Sequence, residues 1–163
     1  MDSFGMATWE TGSAGPEETG ALGCRLGSLL RPGDVIFLLG GLGAGKTRLA
    51  QGIADSLGIP AARSPSFALV HVHRGRLPLY HADLYRLADA AEVRALDLAG
   101  LSADGVLVVE WPQLAASEFP ERLEVELIFA AGDEHARRIV FRPLGERYAA
   151  ITRELSGLAD PGI

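Results

Sequence analysis

The segment from Gly40 to Thr47 constrains the fold of this chain more than any other. It reads Gly40-Gly41-Leu42-Gly43-Ala44-Gly45-Lys46-Thr47 and matches the pattern G-x-x-x-x-G-K-[ST] without a mismatch. The short apolar run from Asp34 to Leu39, rich in branched residues, precedes it and is typical of a buried parallel strand. A helical pattern from Lys46 to about Leu57 follows it. The sequence therefore predicts a strand–loop–helix unit within an α/β fold.

The same segment predicts a phosphate-binding loop. Its glycines allow backbone N–H groups to surround phosphate oxygens, and the helix that follows adds about half a positive charge at its N-terminus. Lys46, the only lysine among 15 basic residues, would neutralise the β- and γ-phosphates. The hydroxyl of Thr47 would ligate Mg²⁺. The predicted nucleotide-binding residues of the loop are Gly41, Leu42, Gly43, Ala44, Gly45, Lys46 and Thr47.

Two acidic residues could supply the carboxylate that such a loop requires on a neighbouring strand. Glu110 ends the apolar run 106–109, where a carboxylate can hold Mg²⁺ directly or through water; the alternative is a solvated strand end. Asp83 could orient the attacking water or complete the Mg²⁺ shell, or it could cap a helix that begins at Leu84. The segment 97–100 has the spacing D-x-x-G of GTPases, but we interpret it as a helix end with a glycine cap.

The nucleotide base can be inferred by elimination. The guanine-reading motif [NT]-K-x-D needs a second lysine, and none exists, so ATP is favoured over GTP. Trp111 could stack on an adenine or pack under a loop. His71, His73 and His81 do not form a recognisable metal site, and we interpret them as exposed or hydrogen-bonded strand histidines.

Length and composition predict one domain over residues 1–163, with loose ends at about 1–5 and 157–163. The net charge of −6 argues against a broad basic surface for nucleic acid. The start of the sequence does not resemble a signal peptide, its apolar runs are too short to span a membrane, and one cysteine fits a reducing cytoplasm.

The hydrophobic patterns predict the remaining helices and strands. They are a strand near 6–9, a helix from 16 to about 32, a hairpin of 67–73 with 77–82, a helix over 88–98, a strand over 106–109, antiparallel strands over 124–130 and 138–142, and a helix over 145–155.

Four segments together resemble one family. They are Gly40 to Thr47, Ser64-Pro65-Ser66-Phe67, Tyr80-His81-Ala82-Asp83-Leu84-Tyr85-Arg86-Leu87 and Val109-Glu110-Trp111-Pro112. In this order they resemble the TsaE family of small bacterial ATPases, which serve the threonylcarbamoyladenosine modification of tRNA. The first segment alone is generic, whereas H-x-D-L-Y-R and E-W-P are specific, and the resemblance covers about residues 11–142.

The resemblance implies a three-layer P-loop NTPase fold with a mixed, largely parallel central sheet and antiparallel additions. It implies binding of ATP and Mg²⁺, weak hydrolysis, and work with TsaB and TsaD, the latter acting on adenosine 37 of tRNAs that read codons beginning with A. Contact with tRNA would be indirect, through the complex, and the chain alone would be a monomer or a weak oligomer. The residues implied to be functional are Thr47 and Glu110 at the metal, Lys46, Asp83 and Glu110 in catalysis, Trp111 near the nucleotide, and, more loosely, Thr11 and Glu17-Glu18-Thr19 around the adenine.

Two positions depart from the family pattern. Gly41 stands where the family usually has Asp, and Ser66 replaces a threonine, although it keeps a hydroxyl that could contact the γ-phosphate or the metal. Two other functions remain open on the residues alone: a free-standing small-molecule kinase and a nucleotide-gated binding module. A kinase usually needs an arginine-bearing lid, and none is evident; Arg86 is close to Asp83 but fits a solvent-facing or interface position as well.

Overall fold

A computed structural model describes residues 7–60 and 69–159 of the chain. The strands are β1 (Trp9–Ser13), β2 (Val35–Leu39), β3 (Val70–His73), β4 (Leu79–Asp83), β5 (Val106–Glu110), β6 (Arg122–Phe129) and β7 (Arg137–Leu144). They form one sheet in the order β1-β7-β6-β2-β5-β4-β3. The four strands β6, β2, β5 and β4 are parallel to one another, whereas β1, β7 and β3 are added by antiparallel pairing. The expected mixed sheet with a parallel centre is confirmed.

Helices cover both faces of this sheet. They are α1 (Pro16–Gly27), α2 (Lys46–Ser56), α3 (Ala90–Leu96), α4 (Leu98–Leu101), α5 (Glu146–Ala159) and a 3₁₀ helix at Pro112–Glu118. Ile36 and Leu38 of β2 belong to a core with α1, α2 and α5. Val35 and Phe37, which alternate with them, belong to a second core with α3, α4 and the 3₁₀ helix. Two cores on opposite faces of one sheet make the expected three layers, and the α/β fold is confirmed.

No helix within the residues described combines the length and the apolar character that a membrane span requires.

Several element boundaries differ from the sequence-based prediction. The helix predicted over 88–98 is interrupted at Asp97, which adopts a left-handed backbone (φ 48°) and accepts a hydrogen bond from the Gly100 amide at 3.3 Å. The segment 97–100 is therefore a helix end, as interpreted, but the capping residue is Asp97, and Gly100 lies inside α4. The short 3₁₀ helix after β5 was not predicted.

The ends of the chain also differ. The first described strand lies at Trp9–Ser13, later than the predicted start near residue 6, because it pairs with β7 and Trp9 packs against Phe141 at a ring-centroid distance of 5.1 Å. Helix α1 ends at Gly27, where the Ser28 hydroxyl donates to the Arg25 carbonyl at 2.7 Å and competes with further helix growth. Helix α5 runs to Ala159, so residues 157–159 are helical and not a loose end.

Helices α1 and α2 pack so closely that glycine is required at their contact. A Cβ added at Gly52 would clash with the backbone oxygen of Gly20, and one added at Gly23 would clash with the oxygen of Leu49. Because both obstacles are backbone atoms, a side chain there cannot be relieved by a rotamer change. The close approach holds α1 against the helix that follows the glycine-rich loop.

Gly52→Ala is expected to destabilise the protein by about 1–3 kcal/mol, since the added methyl group must push the two helices apart. Gly157→Ala is the matched control, because it also places alanine in a helix but meets open space. Both variants gain the same helix propensity, about 1 kcal/mol, so their difference isolates the clash. Urea unfolding of both measures it, and equal stabilities would contradict the helix contact described above.

Candidate functional site

The loop between β2 and α2 has the backbone that a phosphate-binding loop requires. Gly43 and Gly45 adopt left-handed conformations (φ 78° and 111°) that other residues rarely enter. Gly45 is also the N-cap of α2, so the unsatisfied N–H groups and the positive end of that helix face the loop. Gly41 is exposed with open space around its Cα, so this position could carry the aspartate that the family usually has there.

Lys46 lies buried beside the loop. Its Nζ donates a hydrogen bond to the Gly40 carbonyl at 2.7 Å and sits 3.8 Å from the centroid of the Trp111 ring. Burial lowers the pKa of the Lys46 ammonium, and the carboxylates of Glu110 and Asp83 oppose that shift. A partly desolvated ammonium interacts more strongly with an anion than one in bulk water, so this cation is placed to bind a phosphate.

The two predicted acids lie side by side at the edge of the sheet that carries the loop. Asp83 ends β4 and Glu110 ends β5, and the two are paired in the parallel ladder. Glu110 is buried, and its Oε2 accepts a hydrogen bond from Nε2 of the buried His81 at 2.6 Å. This bond fixes the direction of the Glu110 carboxylate.

Asp83 does not cap a helix. Its Oδ1 accepts from the Tyr85 amide at 3.0 Å and closes a turn, while the next helix, α3, begins at Ala90 with Asp89 as its N-cap. The alternative of a helix N-cap at Asp83 is therefore wrong. Because Asp83 closes only a turn at the end of β4, it can still line the adjoining cavity.

One cavity of about 540 Å³ joins these groups. Its lining contains the predicted residues Leu42, Gly43, Gly45, Lys46, Thr47, Asp83, Glu110 and Trp111, together with Arg48 and Gln51. Within residues 7–60 and 69–159, no group of three or more His, Cys, Asp or Glu side chains could hold a metal without further ligands. The oxygens of Thr47 and Glu110 nevertheless fit Mg²⁺, because this ion usually takes one or two protein ligands plus phosphate oxygens and water.

Trp111 lines this cavity and contacts the side chains of Lys46 and Tyr85. It has a left-handed backbone (φ 53°), its ring lies over the Lys46 ammonium, and it packs against the Tyr85 ring at a centroid distance of 5.0 Å. A bulky residue with positive φ stores roughly 1–3 kcal/mol of strain, a feature common at binding sites. Stacking of Trp111 on an adenine stays a prediction.

A second, smaller cleft of about 110 Å³ lies on the other side of the loop. Thr19 and Ala44 line it, with Pro16, Gly43, Gly45, Arg48, His135 and Arg137. Glu17 and Glu18 line a neighbouring surface cavity with His135. Thr11 lies in β1 opposite Ile139 and is not among the described residues that line either cleft. Ser66 and the 64–67 segment lie outside the described residues.

Two residues at the site were not predicted to act there. His81 was interpreted only as an exposed or hydrogen-bonded strand histidine; it is buried and hydrogen-bonded, and its partner is Glu110. Arg137 of β7 donates to the carbonyls of Gly43 and Ala44 at 3.2 and 2.9 Å. The contact between His81 and Glu110 could have been suggested by the pattern H-x-D at the end of one strand and an acid at the end of a later strand. Arg137 is 93 residues from Ala44, so no local pattern could have indicated its contact with the loop.

A cavity of about 630 Å³ at the opposite edge of the sheet does not share this chemistry. Among the charged residues that line it, Asp34 and Arg147 are paired with each other through contacts of 3.1 and 2.8 Å, and the Arg31 amide also donates to Asp34. These contacts attach α5 to the start of β2.

Known proteins resemble this chain over most of its length. The model of the family described as threonylcarbamoyl adenosine biosynthesis protein TsaE matches residues 13–139. A Bacillus subtilis protein named tRNA threonylcarbamoyladenosine biosynthesis protein TsaE is 42% identical over 151 residues, which is 91% of this chain and 92% of the relative. A Streptomyces coelicolor protein of the same name is 42% identical over 146 residues, covering 85% and 97%.

A solved structure has a similar fold over nearly the whole chain. The crystal structure of YdiB from Bacillus subtilis superposes with a TM-score of 0.77 and 34% sequence identity, covering 94% of this chain and 97% of that one. The range matched by the family model, residues 13–139, includes the loop, Asp83 and Glu110. The chain belongs to the family of the threonylcarbamoyl adenosine biosynthesis protein TsaE.

Proposed function

We propose that this chain binds ATP with Mg²⁺ and hydrolyses ATP slowly on its own. This activity would serve the formation of threonylcarbamoyladenosine at adenosine 37 of tRNA, with TsaB and TsaD as partners. The observation that carries the proposal is the meeting of Lys46, Thr47, Asp83 and Glu110 in one cavity at the carboxyl edge of parallel strands. In α/β folds, ligands bind at that edge. Membership in the TsaE family supplies the pathway.

The residues divide the work of holding the nucleotide. The amides of the loop and the N-terminus of α2 would bind the phosphates, and Lys46 would exchange the Gly40 carbonyl for a phosphate oxygen. Thr47 and Glu110 would hold Mg²⁺, with His81 keeping the Glu110 carboxylate in place. Once bound, the ion would neutralise charge on the transferring phosphoryl group.

Asp83 is the residue we assign to the attacking water. It lines the same cavity as Lys46 and is adjacent to Glu110 in the ladder, so it lies near both the phosphates and the metal. A carboxylate in this position can accept a hydrogen bond from water and direct it at the phosphorus atom. The reaction assigned is hydrolysis of the terminal phosphoryl group.

Slow turnover of the isolated chain would follow from the small number of cations among the described residues that line the cavity. Arg48 is the arginine among the described residues lining the cavity, while Arg86 is exposed and does not line it. Additional charge supplied by a docked partner can accelerate P-loop enzymes by about 10³-fold or more. With a net charge of −6, the chain would leave most of the tRNA contact to its partners.

The base would be adenine. A guanine-specific lysine is lacking, since Lys46 is the only lysine and lies at the phosphates. Thr19 and the adjacent acids 17–18 lie beside the cleft behind the loop and could enclose the base on that side. Weaker binding of GTP than of ATP in a competition titration would support this assignment.

Depletion of this protein in its host is expected to lower threonylcarbamoyladenosine in bulk tRNA, because the ATP-dependent step would be lost. Mass spectrometry of tRNA nucleosides measures the change. Wild-type protein should restore the modification, Lys46→Ala should not, and Arg153→Ala, at an exposed position on α5, should restore it as the matched control. Normal modification in depleted cells that lack a redundant homologue would refute the assignment to tRNA. A phosphorylated small molecule on incubation with ATP would instead favour a kinase.

A further inference from the structure

Arg137 is tied to the glycine-rich loop from the side opposite the cavity that holds Lys46. Its Nε donates to the carbonyl of Ala44 at 2.9 Å, and its Nη2 donates to the carbonyl of Gly43 at 3.2 Å. Its Nη1 donates to the carbonyls of Glu134 and Ala136 at 2.8 and 2.9 Å. All four acceptors are backbone carbonyls, so the guanidinium joins the loop to the β6–β7 connection.

The direction of these carbonyls determines where the loop amides point. In a planar trans peptide, the C=O of one residue and the N–H of the next point in opposite directions. With the Ala44 carbonyl turned toward Arg137, the Gly45 amide points away from Arg137. The Ala44 amide, which follows the Gly43 carbonyl, also points away and donates to the Gly41 carbonyl at 3.1 Å, a bond that shapes the loop. A phosphate in such a loop is bound by backbone amides, so the direction of the Gly45 amide matters for binding.

We propose that Arg137 is a positioning residue that sets the peptide planes of the loop for phosphate binding. The inference rests on the proposed nucleotide-binding function, and adds to it a residue that does not touch the phosphates. The left-handed glycines 43 and 45 leave the loop many backbone conformations, and the fork of Arg137 selects one of them. The guanidinium carbon of Arg137 lies 4.3 Å from the centroid of the Phe129 ring, and this cation–π contact helps to hold the guanidinium in place.

This role differs from simple attraction between Arg137 and phosphate. Lysine has the same charge, but it is a point donor and cannot donate two parallel bonds to adjacent carbonyls. Electrostatic attraction would survive Arg137→Lys, whereas positioning would not. Arg138, the next residue, is exposed and paired with Glu10, which makes Arg138→Lys a matched control.

The test compares wild type, Arg137→Lys and Arg138→Lys by calorimetry with MgATP and with inorganic tripolyphosphate, a probe that has phosphates but no base. Arg137→Lys should weaken both ligands by about tenfold, the usual effect of losing a hydrogen bond to a charged group, and Arg138→Lys should bind as wild type does. In ligand-free protein, the NMR amide signals of Gly45 and Ala44 should shift in Arg137→Lys and not in Arg138→Lys.

A second variant keeps the test decisive if Arg137→Lys fails to fold. Phe129→Ala, at a position 52% exposed, keeps the guanidinium but removes the ring beside it, and should weaken tripolyphosphate binding by about threefold. Unchanged tripolyphosphate affinity in the folded variants, beside a wild type that binds, would overturn the positioning role and leave the proposed function intact. A wild type that binds neither probe would overturn the proposed function and this inference together.

Discussion

Replacing Lys46 by alanine is expected to weaken ATP binding more than tenfold, a cost of roughly 1.5–3 kcal/mol from the loss of a charge-assisted contact to phosphate. The ammonium is buried, and that burial lowers its pKa, while the carboxylates of Glu110 and Asp83 oppose the shift. Its direct contacts are the Gly40 carbonyl and the face of the Trp111 ring. Because neither contact carries a charge, a phosphate oxygen would bind the ammonium more strongly than either of them.

Calorimetric titration with MgATP measures the effect, and Arg153→Ala is the control because it removes a cation from an exposed pair with Glu146. The control should bind ATP as wild type does. Removal of Lys46 also leaves Trp111 without its cationic neighbour, so thermal unfolding should accompany the titration to establish that the variant is folded. Unchanged ATP affinity in folded Lys46→Ala would disprove the assignment of this loop.

The two carboxylates at the edge of the sheet are expected to differ in effect. Glu110→Gln should weaken Mg²⁺-dependent ATP binding, because it removes a charged oxygen ligand while its side chain can still accept a hydrogen bond from His81. Asp83→Asn should leave binding almost unchanged and lower hydrolysis by about 10²-fold or more, since the orientation of water matters mainly in the transition state. Both substitutions preserve side-chain size.

Titration with ATP at several Mg²⁺ concentrations measures the effect of Glu110→Gln on Mg²⁺-dependent binding. Phosphate release in the presence of TsaB and TsaD measures the effect of Asp83→Asn on hydrolysis. Each variant is the control of the other, because Asp83 and Glu110 are neighbours in one ladder but are given different roles. If Asp83→Asn releases phosphate at the wild-type rate, the residue only closes the turn at Tyr85.

Local sequence was sufficient for the elements whose signals are short-range. A continuous apolar run predicted β2, the alternation of apolar residues predicted the antiparallel pair β6–β7, and the glycine-rich pattern predicted the start of α2 at Lys46. The predicted helix boundaries were wrong where packing or side-chain capping determines the residue at which a helix ends. Asp97 interrupts a helix whose apolar pattern continues through it, and α5 is longer than its pattern predicted.

The sequence by itself determined the chemistry available to this protein: a glycine-rich loop, one lysine within it, and acids at the ends of two apolar strands. Only the tertiary structure decided which of these groups meet. The parallel pairing of β4 with β5 makes Asp83 and Glu110 neighbours and places His81 against Glu110. The turn that Asp83 closes at Tyr85, with the next helix beginning only at Ala90, rules out a helix cap at Asp83. The antiparallel β7 brings Arg137 to carbonyls more than 90 residues away. Such contacts leave no local pattern, because the spacing of residues along a chain determines their distance only within a helix, a strand or a turn.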